Sequence, residues 1–282
     1  LKIREALQHN AARLSGQGIQ SARLEAEVLL RHALGIDRAE FFASLETEPT
    51  PEQLKRFYEL LARRLEHEPL AYIIGHREFY SLDFIVNPDV LIPRQETELL
   101  VELALKFSAR KESENLKFVD AGTGSGAIAV SIAYNLTNCL VYAVDVEPEA
   151  LQVAKANAGK HGVSERIKFM RGNLLEELPE RVDIVVSNPP YLRTAEIPNL
   201  SPEVQMEPVS ALDGGPDGLD VIRILIEKAP GYIKPDGCIL IEMDPEQVET
   251  ANAFALDVFP EGRISVHKDL FGLDRVMQIQ IG

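Results

Sequence analysis

Apolar positions along the first 75 residues repeat at helical spacing, and those further on fall into short strand-like runs. Ile3, Leu7, Ala11 and Leu14 share one helix face, and Gly16 and Gly18 end that run. Ser21 is placed to cap a second helix through Leu24, Val28, Leu29 and Leu34, which stops at Gly35. A short helical piece around 38–45 follows. Thr50-Pro51-Glu52-Gln53 has the form of a capping box with proline at the first helical position. The helix it opens, through Leu54, Phe57, Leu61 and Leu65, ends before Pro69. Such a group of helices predicts a small bundle over 1–75, marginal alone and credible beside a larger domain.

The period changes at 76–92, where short β-type runs at 77–80 and 83–86 flank a polar turn and predict a linking hairpin. Leu91-Ile92-Pro93-Arg94-Gln95-Glu96-Thr97 then leads into a helix bearing Leu99, Leu100, Leu103 and Leu105. Beyond it, strand-like runs at 117–120, 140–145, 167–171, 183–187 and 238–243 alternate with helical runs at 127–135, 149–160 and 217–229. This rhythm predicts an α/β domain over 93–282, built on a mostly parallel, doubly wound sheet. After a helix near 247–256, β runs at 263–267 and 275–281 joined by a glycine-containing link predict a closing antiparallel hairpin.

Composition narrows the classes. Hydrophobic residues make up 45% of 282 positions, enough for a full core, yet no stretch approaches the roughly 18–20 apolar residues of a membrane span. The start, Leu1-Lys2-Ile3-Arg4-Glu5, begins an amphipathic pattern rather than a secretion signal. Cys139 and Cys238 each sit in an apolar run, which favours buried thiols in a reducing, cytoplasmic setting over a disulfide. The six histidines lack ligand spacing, so no metal is expected. Residues 1–75 carry 10 basic and 11 acidic side chains, so nearly all of the net charge of −15 falls on the larger portion. An acidic surface repels phosphate backbones, which argues against free nucleic acid as the main partner.

The chain's chemistry centres on Asn188-Pro189-Pro190-Tyr191, which follows the apolar run Asp183-Ile184-Val185-Val186-Ser187. Two prolines remove two backbone donors, fix two φ angles and end the strand in a stiff, extended corner. That corner projects one amide, Asn188, and one ring, Tyr191. An amide offers donors and an acceptor without a useful pKa, so it suits gripping a planar nitrogen-bearing group rather than exchanging protons. The bland alternative makes Asn188 a turn residue and Tyr191 a core ring, which the double proline beside a glycine loop disfavours.

That loop is Asp120-Ala121-Gly122-Thr123-Gly124-Ser125-Gly126, placed after the first strand of the sheet. Its glycines let the backbone turn tightly and approach a ligand at the strand's carboxyl end. Ala127 also satisfies a looser dinucleotide pattern, so the loop alone does not choose between nicotinamide and other adenosine cofactors. Asp145 ends the next strand, where an acid accepts hydrogen bonds from ribose hydroxyls; the competing role is a helix cap before Pro148. Asn173 either bonds an adenine amine, with Leu174 packing on the ring, or is a plain turn residue.

Glycine loop, acid and Asn-Pro-Pro-Tyr, after the first, second and fourth strands of the sheet, resemble the class I methyltransferases that use S-adenosylmethionine. Three longer stretches are similar to the release-factor glutamine N(5)-methyltransferase family: Leu91-Ile92-Pro93-Arg94-Gln95-Glu96-Thr97-Glu98, residues 120–129, and residues 207–219. The resemblance covers about 72–282, and the helical residues before it match in type and placement. It departs at Gln95, Ser81 and Asp244, where the family usually has proline, glycine and glycine, which bears on loop rigidity rather than on the reaction.

The resemblance implies transfer of one methyl group from S-adenosylmethionine, leaving S-adenosylhomocysteine, to the glutamine of a Gly-Gly-Gln motif in peptide-chain release factors. Gly122, Thr123, Gly124, Ser125, Gly126, Asp145, Asn173 and Asn188 would hold the cofactor, and Asn188, Pro189, Pro190 and Tyr191 the substrate. Within that set Asn188, Pro189 and Tyr191 would act in catalysis: the Asn188 side-chain oxygen and the Pro189 carbonyl accept the amide N–H groups, and Tyr191 packs on the flat amide. Residues 1–75 would grip the release factor, with the enzyme a monomer. Glu207-Pro208 and the 214–218 loop are expected to touch substrate, and Arg94, Glu96 and Thr97 to line the pocket. The nearest alternative is an adenine exocyclic-amine methyltransferase acting on DNA or RNA, since the same corner could hold a flipped base. A nicotinamide-dependent oxidoreductase is the alternative from another class, and it lacks a Tyr-x-x-x-Lys pair.

Overall fold

A computed structural model describes residues 1–111 and 115–282. It divides into two compact units, Leu1–Gly75 with Ser201–Met206, and His76–Leu200 with Glu207–Gly282.

The first unit contains α1 (Ile3–Gly16), α2 (Ala22–Leu34), α3 (Arg38–Ala43), α4 (Pro51–Leu65) and α5 (Leu70–Ile74). Their apolar faces meet in one core that includes Leu14, Leu29, Leu30, Phe41, Phe57 and Leu61. The capping box at α4 forms as the spacing predicts: Thr50 Oγ1 accepts from the Gln53 backbone N–H at 3.2 Å, and Gln53 Oε1 accepts from that of Thr50 at 2.9 Å. Ser21 occupies the cap position of α2, but its side chain makes no capping bond. Helix α5 was not predicted; it is five residues long between Pro69 and a left-handed Gly75, too short to show a period.

Arg64 explains why a distant segment joins these helices. Its side chain is 3% exposed, and its guanidinium pairs with Glu25 and, at 2.5 Å, with Glu203. A buried guanidinium needs matched carboxylates, and Glu203 arrives from a stretch that the pattern along the chain groups with the sheet.

The second unit opens with the hairpin β1 (His76–Phe79) and β2 (Leu82–Ile85), followed by α6 (Glu98–Ser108). Then come β3 (Leu116–Ala121), α7 (Ala127–Asn135), β4 (Cys139–Asp145), α8 (Pro148–Lys160), β5 (Ile167–Arg171) and β6 (Val182–Ser187). The chain closes with α9 (Asp220–Lys228), β7 (Ile233–Glu242), α10 (Val248–Val258), β8 (Arg263–Lys268) and β9 (Asp274–Gln280). The order of the main sheet is β5-β4-β3-β6-β7-β9-β8. Its first five strands run parallel, and β9 pairs antiparallel with both β7 and β8.

Central strands are buried on both faces, as a parallel sheet covered by helices requires. Phe118, Val141, Ile184 and Leu240 point to one side and pack with α6 and α7. Their neighbours Val119, Val144, Val185 and Ile239 point to the other, toward α9 and α10. Strand β7 begins earlier than the apolar run predicts. Ile233 pairs with Val182, and the register then shifts so that Cys238 meets Ile184. The intervening Lys-Pro-Asp-Gly hides that start from any apolar pattern.

The order reverses between β3 and β6, leaving a crevice at the carboxyl ends of β3, β4 and β6. Asn157, fully buried within α8, ties three parts of this end together. Its Oδ1 accepts from the Ile85 N–H at 2.7 Å, while Nδ2 donates to the carbonyls of Ile85 at 3.0 Å and Ser125 at 2.8 Å. Asn157→Ala should cost about 2–4 kcal/mol because it leaves one buried and two partly buried backbone groups without their partner. Thermal denaturation should then show Tm lower by roughly 4–12 °C. A shift below about 2 °C would mean that the hairpin and glycine loop do not depend on this amide.

Candidate active site

Strand β3 delivers the chain into Gly122, Gly124 and Gly126, all with positive φ, at 79°, 54° and 80°. The Gly122 and Thr123 N–H groups both donate to the Val144 carbonyl at 2.9 Å, which folds the loop over the end of β4. A Cβ built on Gly122 or Gly124 would meet nothing within 4 Å, so this backbone faces open space. Gly126 differs: a Cβ there would lie 3.0 Å from the Ala154 Cβ. The third glycine therefore lets α8 pack against the loop.

Open space beside the first two glycines belongs to a cavity of about 210 Å³. Gly122, Thr123, Gly124, Ser125, Asp145, Asn173, Leu174, Asn188 and Pro190, all singled out by the sequence, line it. Gly126, Pro189 and Tyr191 do not. Val90, Leu91, Val146 and Ile128 give the cavity apolar walls suited to a flat heterocycle, and no sequence motif pointed to Val90 or Val146. Leu174 reaches the wall through a left-handed backbone, φ 59°, a strained state for a side chain of this size.

Asp145 Oδ2 accepts from the Gly124 N–H at 2.8 Å, and Oδ1 from that of Glu147 at 3.0 Å. Each oxygen keeps a lone pair for a ligand hydroxyl. Burial raises its pKa above the ordinary carboxylate value. Under the loop, fully buried Asp120 holds Thr123 Oγ1 at 2.7 Å and the Ala129 N–H at 3.1 Å through Oδ2. Burial above all, helped by the Asp145 charge, pushes its pKa up to about 7. The two acids thus serve different ends, Asp120 shaping the loop and Asp145 facing the cavity. The open backbone, apolar walls and paired acceptors of this cavity fit an adenosyl cofactor.

Across the crevice, β6 ends at Ser187, whose Oγ donates to the Ala121 carbonyl at 2.6 Å. The Asn188 Nδ2 donates to Thr97 Oγ1 at 3.1 Å, which leaves Oδ1 as the amide's free acceptor. Pro189, within the corner, is buried. Tyr191 departs from expectation: its ring packs on the core beneath α9 and α10, and its hydroxyl donates to Glu242 Oε1 at 3.2 Å. Burial, then the Glu242 charge, raises its pKa well above the usual phenol value. Its ring is thus an anchor behind the corner, because burying that apolar area against the sheet satisfies both ring and hydroxyl.

Two stretches expected to touch substrate also brace the site. The Leu192 N–H donates to the Leu212 carbonyl at 2.9 Å, and the Gly214 N–H to that of Leu192 at 2.8 Å. A Cβ on Gly214 would fall 2.7 Å from the Pro190 oxygen, and one on Gly218 2.2 Å from the Tyr191 oxygen. Glycine is required here so that the 214–218 loop can press on the corner's backbone. Glu207, buried beneath the surface, accepts from the Ile92 N–H at 3.1 Å and from the Arg94 guanidinium. That pair fixes the 92–97 segment, through which Thr97 reaches the cavity. Arg94 and Glu96 do not line the cavity; Glu96 lines a neighbouring groove with Leu270 and Phe271. Pro208, Ser210 and Ala211 complete the wall. Among the described residues no cluster of three or more His, Cys, Asp or Glu is placed to hold a metal.

Comparison with known proteins agrees with this geometry. Residues 5–75 match the PrmC N-terminal domain, and residues 112–256 a methyltransferase domain. The chain is 43% identical to the release factor glutamine methyltransferase of Moorella thermoacetica, over 98% of this chain and 97% of that one. With its counterpart in Geobacter sulfurreducens the identity is 41%, over 99% and 97%. A methyltransferase structure from Pyrococcus furiosus superposes with a TM-score of 0.53 at 17% identity, covering 78% of this chain and 97% of that one, a likeness of fold.

Asp145→Ala removes the acceptor pair at the end of β4. It should raise the Kd for S-adenosylmethionine about 10–100-fold, the loss expected for one or two hydrogen bonds to a charged group. Calorimetric titration checks this, and an unchanged Kd would remove Asp145 from the binding site.

Proposed function

This chain belongs to the release factor glutamine methyltransferase family, and from that premise we propose how its side chains perform the reaction. It methylates a release-factor glutamine, with S-adenosylmethionine as donor. The donor supplies an electrophilic methyl group on a sulfonium. What remains for the protein is to aim a weak nucleophile, since a carboxamide lone pair is delocalised into its carbonyl.

The observation that carries our reading is the tethered amide of Asn188, whose Nδ2 is engaged by Thr97. Its Oδ1 accepts one N–H of the substrate amide, and the Pro189 carbonyl accepts the other. Two acceptors in one rigid corner orient the nitrogen and stabilise the positive charge that grows on it. Once methylated, the nitrogen is acidic enough to release its extra proton to solvent without a dedicated base. Tyr191 holds the corner from behind through Glu242. The glutamine is that of a Gly-Gly-Gln loop in a peptide-chain release factor. The helical unit holds the body of that factor, a role supported by its separate core. We place the enzyme in the cytoplasm as a monomer; among the described residues no helix is long and apolar enough to cross a membrane.

Labelled S-adenosylmethionine should mark a purified release factor and not its Gln-to-Ala variant at Gly-Gly-Gln, nor DNA or RNA. Asn188→Ala should lower kcat about 100–1000-fold, the usual loss when one preorganised electrostatic partner is removed. Cofactor Kd should change far less than kcat, by under about tenfold or 1.4 kcal/mol, since Asn188 is one of many residues lining the cavity. Equal losses in both would sink the role given to Asn188, and label on nucleic acid would mean that the corner holds a base.

A further inference from the structure

The proline corner lacks the donors that usually hold a turn. Pro189 and Pro190 have fixed φ angles but no N–H, so the peptide units joining 188 to 189 and 189 to 190 can be held only by their carbonyls. The proposed reaction gives the Pro189 carbonyl to the substrate amide, so its direction must be fixed from the flanks of the corner. On the far flank, the peptide unit joining Tyr191 to Leu192 is held at both edges. Its N–H donates to the Leu212 carbonyl at 2.9 Å, and its carbonyl accepts from Gln247 Nε2 at 2.7 Å.

Gln247 lies in the turn between β7 and α10 and is 4% exposed. Its backbone N–H donates to the Asp244 carbonyl at 3.0 Å, and its Oε1 accepts from the Asp244 N–H at 3.1 Å. A backbone N–H only donates and a carbonyl only accepts, so the two ends of this amide cannot exchange. Its NH2 is thereby turned to the corner, where a second bond reaches the Asp217 carbonyl at 3.3 Å. A Cβ on Gly218 would fall 2.2 Å from Nε2, so glycine there makes room for the amide. Gln247 is not among the residues that line the cavity.

We propose that Gln247 is a positioning residue for methyl transfer: by holding the Tyr191 carbonyl it aims the Pro189 carbonyl and the Asn188 amide at the substrate glutamine. This rests on the reading that the corner receives that glutamine. One side chain ties the corner to the 214–218 loop and to the turn after β7. Without its NH2 the Tyr191 and Asp217 carbonyls lose their shared donor, and the backbone after the prolines is free to rotate about ψ. A displacement of about 1 Å costs on the order of 100-fold in rate, whereas the glycine loop across the crevice keeps its own contacts.

Gln247→Glu tests this with a readout that a general loss of stability does not give. An ionised carboxylate only accepts, and would set negative oxygen against the Tyr191 carbonyl. A protonated one donates to that carbonyl through its hydroxyl, while its second oxygen keeps the Asp244 N–H. Burial among carbonyls raises the pKa of such an acid, so the donor is regained as pH falls. The ratio of variant to wild-type kcat should be about 0.01–0.1 at pH 9 and rise at least about fivefold by pH 6.5. The Kd for S-adenosylmethionine should stay within about threefold of wild type. Rates are referred to the fraction of enzyme that binds S-adenosylmethionine, so partial unfolding does not enter. Gln247→Met, similar in length but without a donor, should lose about 10–100-fold at both pH values.

A Glu variant whose ratio is the same at both pH values overturns the inference, as does one within threefold of wild type at pH 9. If the Glu variant binds no cofactor, Gln247→Met decides, and a kcat within threefold of wild type overturns it. Two variants that both bind no cofactor overturn it as well, since Gln247 would then hold the fold rather than the corner. When Asn188→Ala loses turnover but the Gln247 variants do not, this inference falls and the reading of the corner stands. If Asn188→Ala itself keeps turnover, both fall.

Discussion

The stiffness of the backbone at Asn188–Tyr191 is the constraint on which the rest of the sheet unit depends. Methylating a carboxamide nitrogen asks little of acid or base groups and much of alignment, and alignment survives only where backbone atoms cannot yield. Two prolines supply part of that stiffness. The rest comes from outside the motif: Gln247 Nε2 donates to the Tyr191 carbonyl at 2.7 Å, and the bonds between Leu192, Leu212 and Gly214 bind the following residues to a neighbouring loop. Glycines at 214 and 218 permit that approach, since a side chain at either would collide with the corner. Remote parts of the chain thus serve one short turn.

Buried carboxylates are the second theme, and their differing surroundings separate their roles. Asp120 faces inward and organises the glycine loop, Asp145 faces the cavity, and Glu242 lies behind the corner. In each, burial is the largest influence raising the pKa. Keeping such groups away from water is costly. Asp145, the one of the three that lines the cavity, gives that cost a function, because the negative potential of its charge favours a cationic cofactor. The same potential would oppose a phosphate backbone, in line with the chain's net charge of −15.

Within the helical unit a single buried cation has an equivalent organising effect. Arg64 draws Glu25 from α2 and Glu203 from a segment more than a hundred positions later in the chain. That segment lies between the corner and Glu207, so the chain leaves the sheet unit and returns to it within a few residues. The covalent path from the proline corner to the residue that anchors 92–97 therefore passes through the helical unit.

Local pattern alone determined α1 to α4 of the first unit, the alternation of the second, the glycine turn and the proline corner. Period and turn chemistry report how each segment must bury its own face, and they need no knowledge of neighbours. The acceptor at Asp145 was legible for the same reason, since a fixed distance along the chain separates it from the loop. Only the tertiary structure could decide that Gly126 serves packing, that Tyr191 turns inward onto Glu242, and that Glu207 clamps 92–97. Those roles depend on which faces meet across the fold, as when Asn188 finds a hydroxyl 91 residues away. A hydrogen bond over such a separation leaves no period in the sequence, because nothing local to either residue requires the other.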